Sequence, residues 1–85
     1  MKHATTGALD ELDGLLADLR GVEGLTEKKR GAFYRGSRAF LHFHEDPAGL
    51  YADVRLHGAE FQRMRVSTKA ERKRLLSRVR AAVRR

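Results

Sequence analysis

The chain contains no cysteine, no tryptophan and only one proline. Without cysteine there can be no disulfide, no thiolate zinc centre and no cysteine nucleophile, a pattern that fits a reducing compartment. No apolar run approaches the ~18 residues a membrane span requires. The opening Met1-Lys-His-Ala-Thr-Thr-Gly has no h-region, so no signal peptide or membrane contact is expected, and a cytoplasmic location is. Pro47 and the 8 glycines are scattered rather than clustered, so residues 1–85 read as one domain without linker, repeat or low-complexity stretch. A domain of this size buries roughly 60–65% of the surface its unfolded chain exposes, which makes every apolar face count.

What the chain has in excess is positive charge. The net charge of +7 is concentrated: residues 69–85 hold eight cations (Lys69, Arg72, Lys73, Arg74, Arg78, Arg80, Arg84 and Arg85) against Glu71. The remaining ten basic and ten acidic residues cancel. A local excess of this kind is a property of one surface, not an average over the molecule.

Periodicity orders the rest. Residues 1–6 read as a flexible tail. Thr6 is placed to N-cap a helix whose stripe is Leu9, Leu12, Leu15, Leu16 and Leu19, with Gly14 weakening it and Arg20-Gly21 ending it. Val22 to Gly31, with its Glu27-Lys28-Lys29-Arg30 run, reads as a solvated connection. Ala32 to Arg35 forms a strand, and Gly36-Ser37 a type II′ hairpin turn. This pairing sets Tyr34 opposite Ala39 and Phe33 opposite Phe40.

A second strand runs from Arg38 to about Glu45. The Asp46-Pro47-Ala48-Gly49 loop leads into a third, with Glu45 opposite Leu50, Phe43 opposite Ala52, Leu41 opposite Val54, His44 beside Tyr51 and His42 beside Asp53. His57-Gly58-Ala59 turns into a fourth strand, Glu60 to Val66, with Met64 against Ala52 and Arg63 against Asp53. Ser67 or Thr68 caps the last helix, where Thr68-Lys-Ala-Glu71 has capping-box spacing and Leu75, Leu76, Val79, Ala82 and Val83 form the apolar stripe.

Alternation divides the strands into two faces. One carries Leu41, Phe43, Ala52, Val54, Leu56, Met64 and Val66 and needs a cover. The expected fold is therefore α+β, an α-β-β-β-β-α two-layer sandwich: a four-stranded antiparallel meander with both helices on one face. The other face gathers Phe33, Phe40, Tyr51, Arg55, Phe61, Arg63 and Arg65. Three readings of it stand side by side. The rings could stack on unpaired bases while arginines reach phosphates. They could form the core of a homodimer joined sheet to sheet. They could also be covered by arginine stems and cation–π contacts with no partner.

Two further features invite chemistry. His42 and His44 lie two apart on a strand and share a face with Asp53, a spacing that can chelate a metal. Arginines crowd them, and the reading preferred from sequence is a pair of histidines hydrogen-bonded to Asp53 and Tyr51, so no metal and no cofactor is expected. No Ser/His/Asp set, phosphate loop or paired-carboxylate site appears, and Asp53 among cations is held ionised, so no enzyme is expected. The last helix is the other feature. Lys69, Arg72, Lys73, Arg80 and Arg84 lie away from its apolar stripe and suit a phosphate backbone or an acidic protein partner. A non-enzymatic module binding nucleic acid or another polyanion is the expected function, with homodimerisation through the aromatic–arginine face as the alternative.

The run Glu27-Lys-Lys, Phe33, Arg38-Ala-Phe-Leu, Gly49-Leu50 and Val54-Arg-Leu56, followed by a last helix, resembles the MmcQ/YjbR family in element order over roughly residues 9–83. Ala39-Phe40-Leu41-His42-Phe43-His44 also looks somewhat like the small luciferase-domain proteins of unknown function. The first resemblance implies a frataxin-like sandwich and, since such proteins are described as DNA-binding, a lean toward nucleic acid.

Overall fold

The computed structural model describes residues 1–84. Arg85, counted in the basic segment, lies outside them. Thr5, one residue earlier than expected, is the first N-cap: its hydroxyl oxygen accepts from the Ala8 N–H at 3.4 Å. The expected single helix is two, α1 (Thr6–Glu11) and α2 (Asp13–Arg20), parted at Leu12 with φ −90° and ψ 7°. Asp13 and Gly14, both poor helix formers, follow the break. Of the expected stripe Leu12, Leu15, Leu16 and Leu19 are buried and Leu9 is half-buried, with Ala8 buried in addition. At the other end Thr68 opens α3 (Lys69–Val83) with a complete capping box. The Glu71 N–H donates to Thr68 Oγ1 at 3.1 Å, and the Thr68 N–H donates to Glu71 Oε1 at 3.0 Å. Leu75, Leu76, Val79 and Ala82 are the buried side of α3.

The strands form one antiparallel sheet of six: β1 (Lys2–His3), β2 (Thr26–Lys29), β3 (Ala32–Arg35), β4 (Arg38–Asp46), β5 (Gly49–Val54) and β6 (Gln62–Arg65). Five run in the order β2-β3-β4-β5-β6, and β1 pairs with the second half of β4. Two strands were not expected. The segment read as a flexible tail supplies β1, which sets His3 beside His44 and Lys2 beside Glu45. The Thr5 N–H and hydroxyl both donate to Glu45 Oε2 at 2.9 Å, tying this segment down. The segment read as a solvated connection supplies β2, an edge strand whose Glu27 pairs with Arg20 and accepts the Gly31 N–H at 2.9 Å. Lys28 and Lys29 on this edge discourage edge-to-edge pairing by their charge.

The central register is the one the alternation predicts. Leu41 faces Val54, His42 faces Asp53, Phe43 faces Ala52, His44 faces Tyr51 and Glu45 faces Leu50. Ala52 faces Met64 and Asp53 faces Arg63 on the next ladder. Strand β4 reaches one residue further than expected, pairing Asp46 with Gly49 around a Pro47-Ala48 turn. Gly36 has φ +61° while Ser37 has no positive φ, as a type II′ turn demands.

One departure moves two aromatic rings. Arg35 pairs with Arg38 and Tyr34 with Ala39 as expected, but Phe33 then pairs with Leu41, so Phe40 is an extra, bulged residue. A bulge resets which side the flanking side chains take. Phe33 and Phe40, expected on the aromatic–arginine face, are instead 1% and 3% exposed and belong to the hydrophobic core. That core is a single cluster joining Leu12, Leu16 and Leu19 of the N-terminal helices, Leu75 and Val79 of α3, and Leu41, Phe43, Ala52, Val54 and Val66 of the sheet region. The molecule is thus α+β, with three helices and an antiparallel sheet. Among the described residues no helix is long and apolar enough to cross a membrane.

Candidate functional site

Strand pairing alone assembles a polar cluster on β1, β4 and β5. His42 and His44 project two residues apart from β4, His3 enters from β1, and Asp53 faces them from β5. The His42 Nε2 and His44 Nε2 atoms lie 3.6 and 3.3 Å from the same atom, Asp53 Oδ2. The His3 and His44 rings stack with centroids 4.8 Å apart and planes 27° from parallel, and His42 meets His44 edge-on at 4.8 Å. From β6, Arg63 grips Asp53 in a fork, its Nε donating to Oδ1 at 2.8 Å and its Nη2 to Oδ2 at 2.9 Å. The hydrogen bonds from Arg63 hold the Asp53 carboxyl below its ordinary range, against the opposing effect of burial. Burial and the neighbouring His44 lower His42 from its ordinary value, so its neutral ring is favoured.

The expected hydrogen bonds of His44 to Asp53 and Tyr51 do not form. Both ring nitrogens of His44 are buried and lack any hydrogen-bond partner among the described residues, although Asp53 Oδ2 lies 3.3 Å from Nε2. Strand parity legible in the sequence brings His42, His44 and Asp53 together. His3 was missed because a two-residue strand carries no periodic signal.

The rest of the expected sheet-face set is divided. Phe33 and Phe40 are core residues, as the bulge requires. Phe61, at 36%, is exposed, but the Arg55 guanidinium sits 4.3 Å from its ring centre and His42 packs edge-on at 4.9 Å. Arg63 is bound to Asp53. Arg65 pairs with Glu71 and donates to the Ala48 carbonyl, while Tyr51 is half-buried opposite it. Phe61, Arg63 and Arg65 are thus engaged within the chain, Arg55 Nε is buried without a hydrogen-bond partner among the described residues, and a sheet-to-sheet dimer loses two of the rings expected to build it.

The basic helix divides as well. Arg72 is not a free cation: its Nε donates to the Val66 carbonyl at 2.8 Å, its Nη2 to the Ser67 carbonyl at 3.1 Å, and it lies 3.7 Å from Glu11. Position 72 precedes buried Leu75 and Leu76 by three and four residues, so its side chain leans onto the core side of α3. Lys69, Lys73, Arg80 and Arg84, with Arg74 and Arg78, are exposed, and none has a carboxylate partner among the described residues. By contrast Arg20, Arg30, Arg63 and Arg65 each face one. Two open grooves meet at Arg80 and Arg84. One, of about 740 Å³, is lined by these two with Arg35, Glu23 and the Gly21–Gly24 backbone. The other, of about 570 Å³, adds Lys73, Ser77 and Asp18. No family model matches this chain, and no curated protein or solved structure is significantly similar to it.

Proposed function

We propose that the protein is a binding module, not an enzyme, that holds the phosphate backbone of a nucleic acid along one flank of α3, with α2 and α3 covering the apolar face of the sheet. The observation that carries this reading is the row of exposed cations without carboxylate partners, Lys69, Lys73, Arg80 and Arg84, the last two lining both grooves and joined in one of them by Arg35. At 100° per residue these four positions fall within a narrow strip of the helix surface, which matches the linear charge of a phosphodiester chain. Acidic and basic residues balance over residues 1–68, so the net charge comes from the segment that holds this strip. The likeness to the MmcQ/YjbR family leans the same way. Contacts of this type position a backbone without reading bases.

Fluorescence anisotropy with labelled duplex and single-stranded oligonucleotides tests it. Binding at about 50 mM salt should fall steeply with added salt, with a log–log slope of about −0.9 for each duplex phosphate neutralised. The Arg80→Ala/Arg84→Ala double variant should flatten that slope by about two, whereas a change at the carboxylate-paired Arg30 should leave it alone. Absence of binding at micromolar protein in low salt would remove the proposal.

A further inference from the structure

Three imidazoles and one carboxylate converge where β4 pairs with β1 on one side and β5 on the other. We propose that His42, His44 and Asp53, joined by His3, form a binding site for a divalent first-row transition ion of the zinc type. A tetrahedral zinc site with ligand bonds of about 2.0–2.1 Å has neighbouring ligand atoms about 3.3–3.4 Å apart. The two approaches to Asp53 Oδ2, 3.3 Å from His44 and 3.6 Å from His42, are close to that edge length. The donor atoms of these three residues all lie within 4.8 Å of one another. His42, with 29% of its side chain exposed against 12% for His44, has the room to close the widest gap. His3, stacked on His44 with its ring centre 6.1 Å from that of His42, offers a further nitrogen donor.

The ring of His44 is the second, independent observation. A buried imidazole with both nitrogens unpaired carries a desolvation cost that nothing among the described residues offsets. An ion bound at Nε2 would satisfy one of them. Imidazole and carboxylate donors together suit zinc and its first-row neighbours rather than calcium or magnesium, which take all-oxygen shells. Arg63 then acts as the outer partner that orients the ligating carboxylate, as metal-bound carboxylates commonly require. Its charge opposes the ion, which places the site among weaker, exchangeable centres.

The test uses the untagged full chain and zinc chloride. Calorimetry should give a stoichiometry of about one ion per chain, as a single four-ligand site requires. In the histidine ring NMR spectrum, zinc should shift His3, His42 and His44 and spare His57. His44→Ala leaves no hydrogen-bond partner orphaned and should fold, and it should weaken zinc binding beyond the roughly 10–100-fold that losing an outer-shell group brings. Asp53→Asn should do the same. Ring signals unmoved by zinc excess, a response shared equally by His57, or full affinity retained in His44→Ala would each overturn the proposal.

Discussion

Phe33 is 1% exposed and is among the largest fully buried side chains, so its ring is a structural member rather than a contact waiting for a partner. Truncating it to alanine should lower the unfolding free energy by about 3–5 kcal/mol, the usual penalty for emptying a buried aromatic site. A domain of this size has roughly 5–15 kcal/mol in total, so Phe33→Ala should move the urea midpoint sharply, whereas a residue serving only an interface would leave it in place. The same reasoning warns against Phe40→Arg as a probe of self-association, since a charge forced into a position 3% exposed would unfold the monomer. The sequence held a clue to both rings. In Ala39-Phe40-Leu41 three apolar residues follow one another inside an otherwise alternating strand, and such a run is where an inserted residue can hide. Alternation alone assigns one of two adjacent apolar side chains to the solvent side, and only the bulge lets both point inward.

At the scale of elements, the β4–β5 hairpin depends on Gly49. Its φ of +147° is closed to side-chain-bearing residues, and an added Cβ would stand 2.3 Å from Ser67 Oγ. That hydroxyl accepts the Leu50 N–H at 2.8 Å and so pins the hairpin to the segment entering α3. Gly49→Ala should therefore cost at least about 1–3 kcal/mol from backbone strain alone, read as a drop in melting temperature, and Gly36→Ala should cost less because nothing lies near that Cβ. The β4–β5 ladder and the register of β5–β6 were legible because period-two patterning and turn chemistry agree there, though β6 spans only Gln62–Arg65 of the expected Glu60 to Val66. Strand β2 was not, because Thr26-Glu-Lys-Lys at a sheet edge has no buried alternation to display. Strand β1 is shorter than any window in which a period can be recognised, and with it went the third imidazole of the histidine cluster. The basic flank of α3 was legible as charge. The diversion of Arg72 to backbone carbonyls was not, since it depends on where the chain enters the helix.

Across the whole molecule, carboxylates fasten the ends of elements to one another. Hydrogen bonds from Arg20 lower Glu27, those from the Thr5 backbone and hydroxyl lower Glu45, and the Thr68 N–H lowers Glu71, each from an ordinary value of 4.5. A carboxyl whose folded pKa lies below its unfolded one adds stability that is complete above the unfolded value and is lost as pH falls through the folded one. Chemical denaturation between neutral pH and pH 3 should thus give a plateau down to about pH 5 and a progressive decline below it, and Glu71→Gln should make that decline shallower. The edge strand β2 carries the last consequence. Lys28 and Lys29 lie on the open β2 border of the sheet without a carboxylate partner among the described residues, and their charge repels a like strand only as far as its field extends. That reach shrinks from about 10 Å at 0.1 M salt to about 3 Å at 1 M, so the guard on this border belongs to the ionic surroundings as much as to the fold.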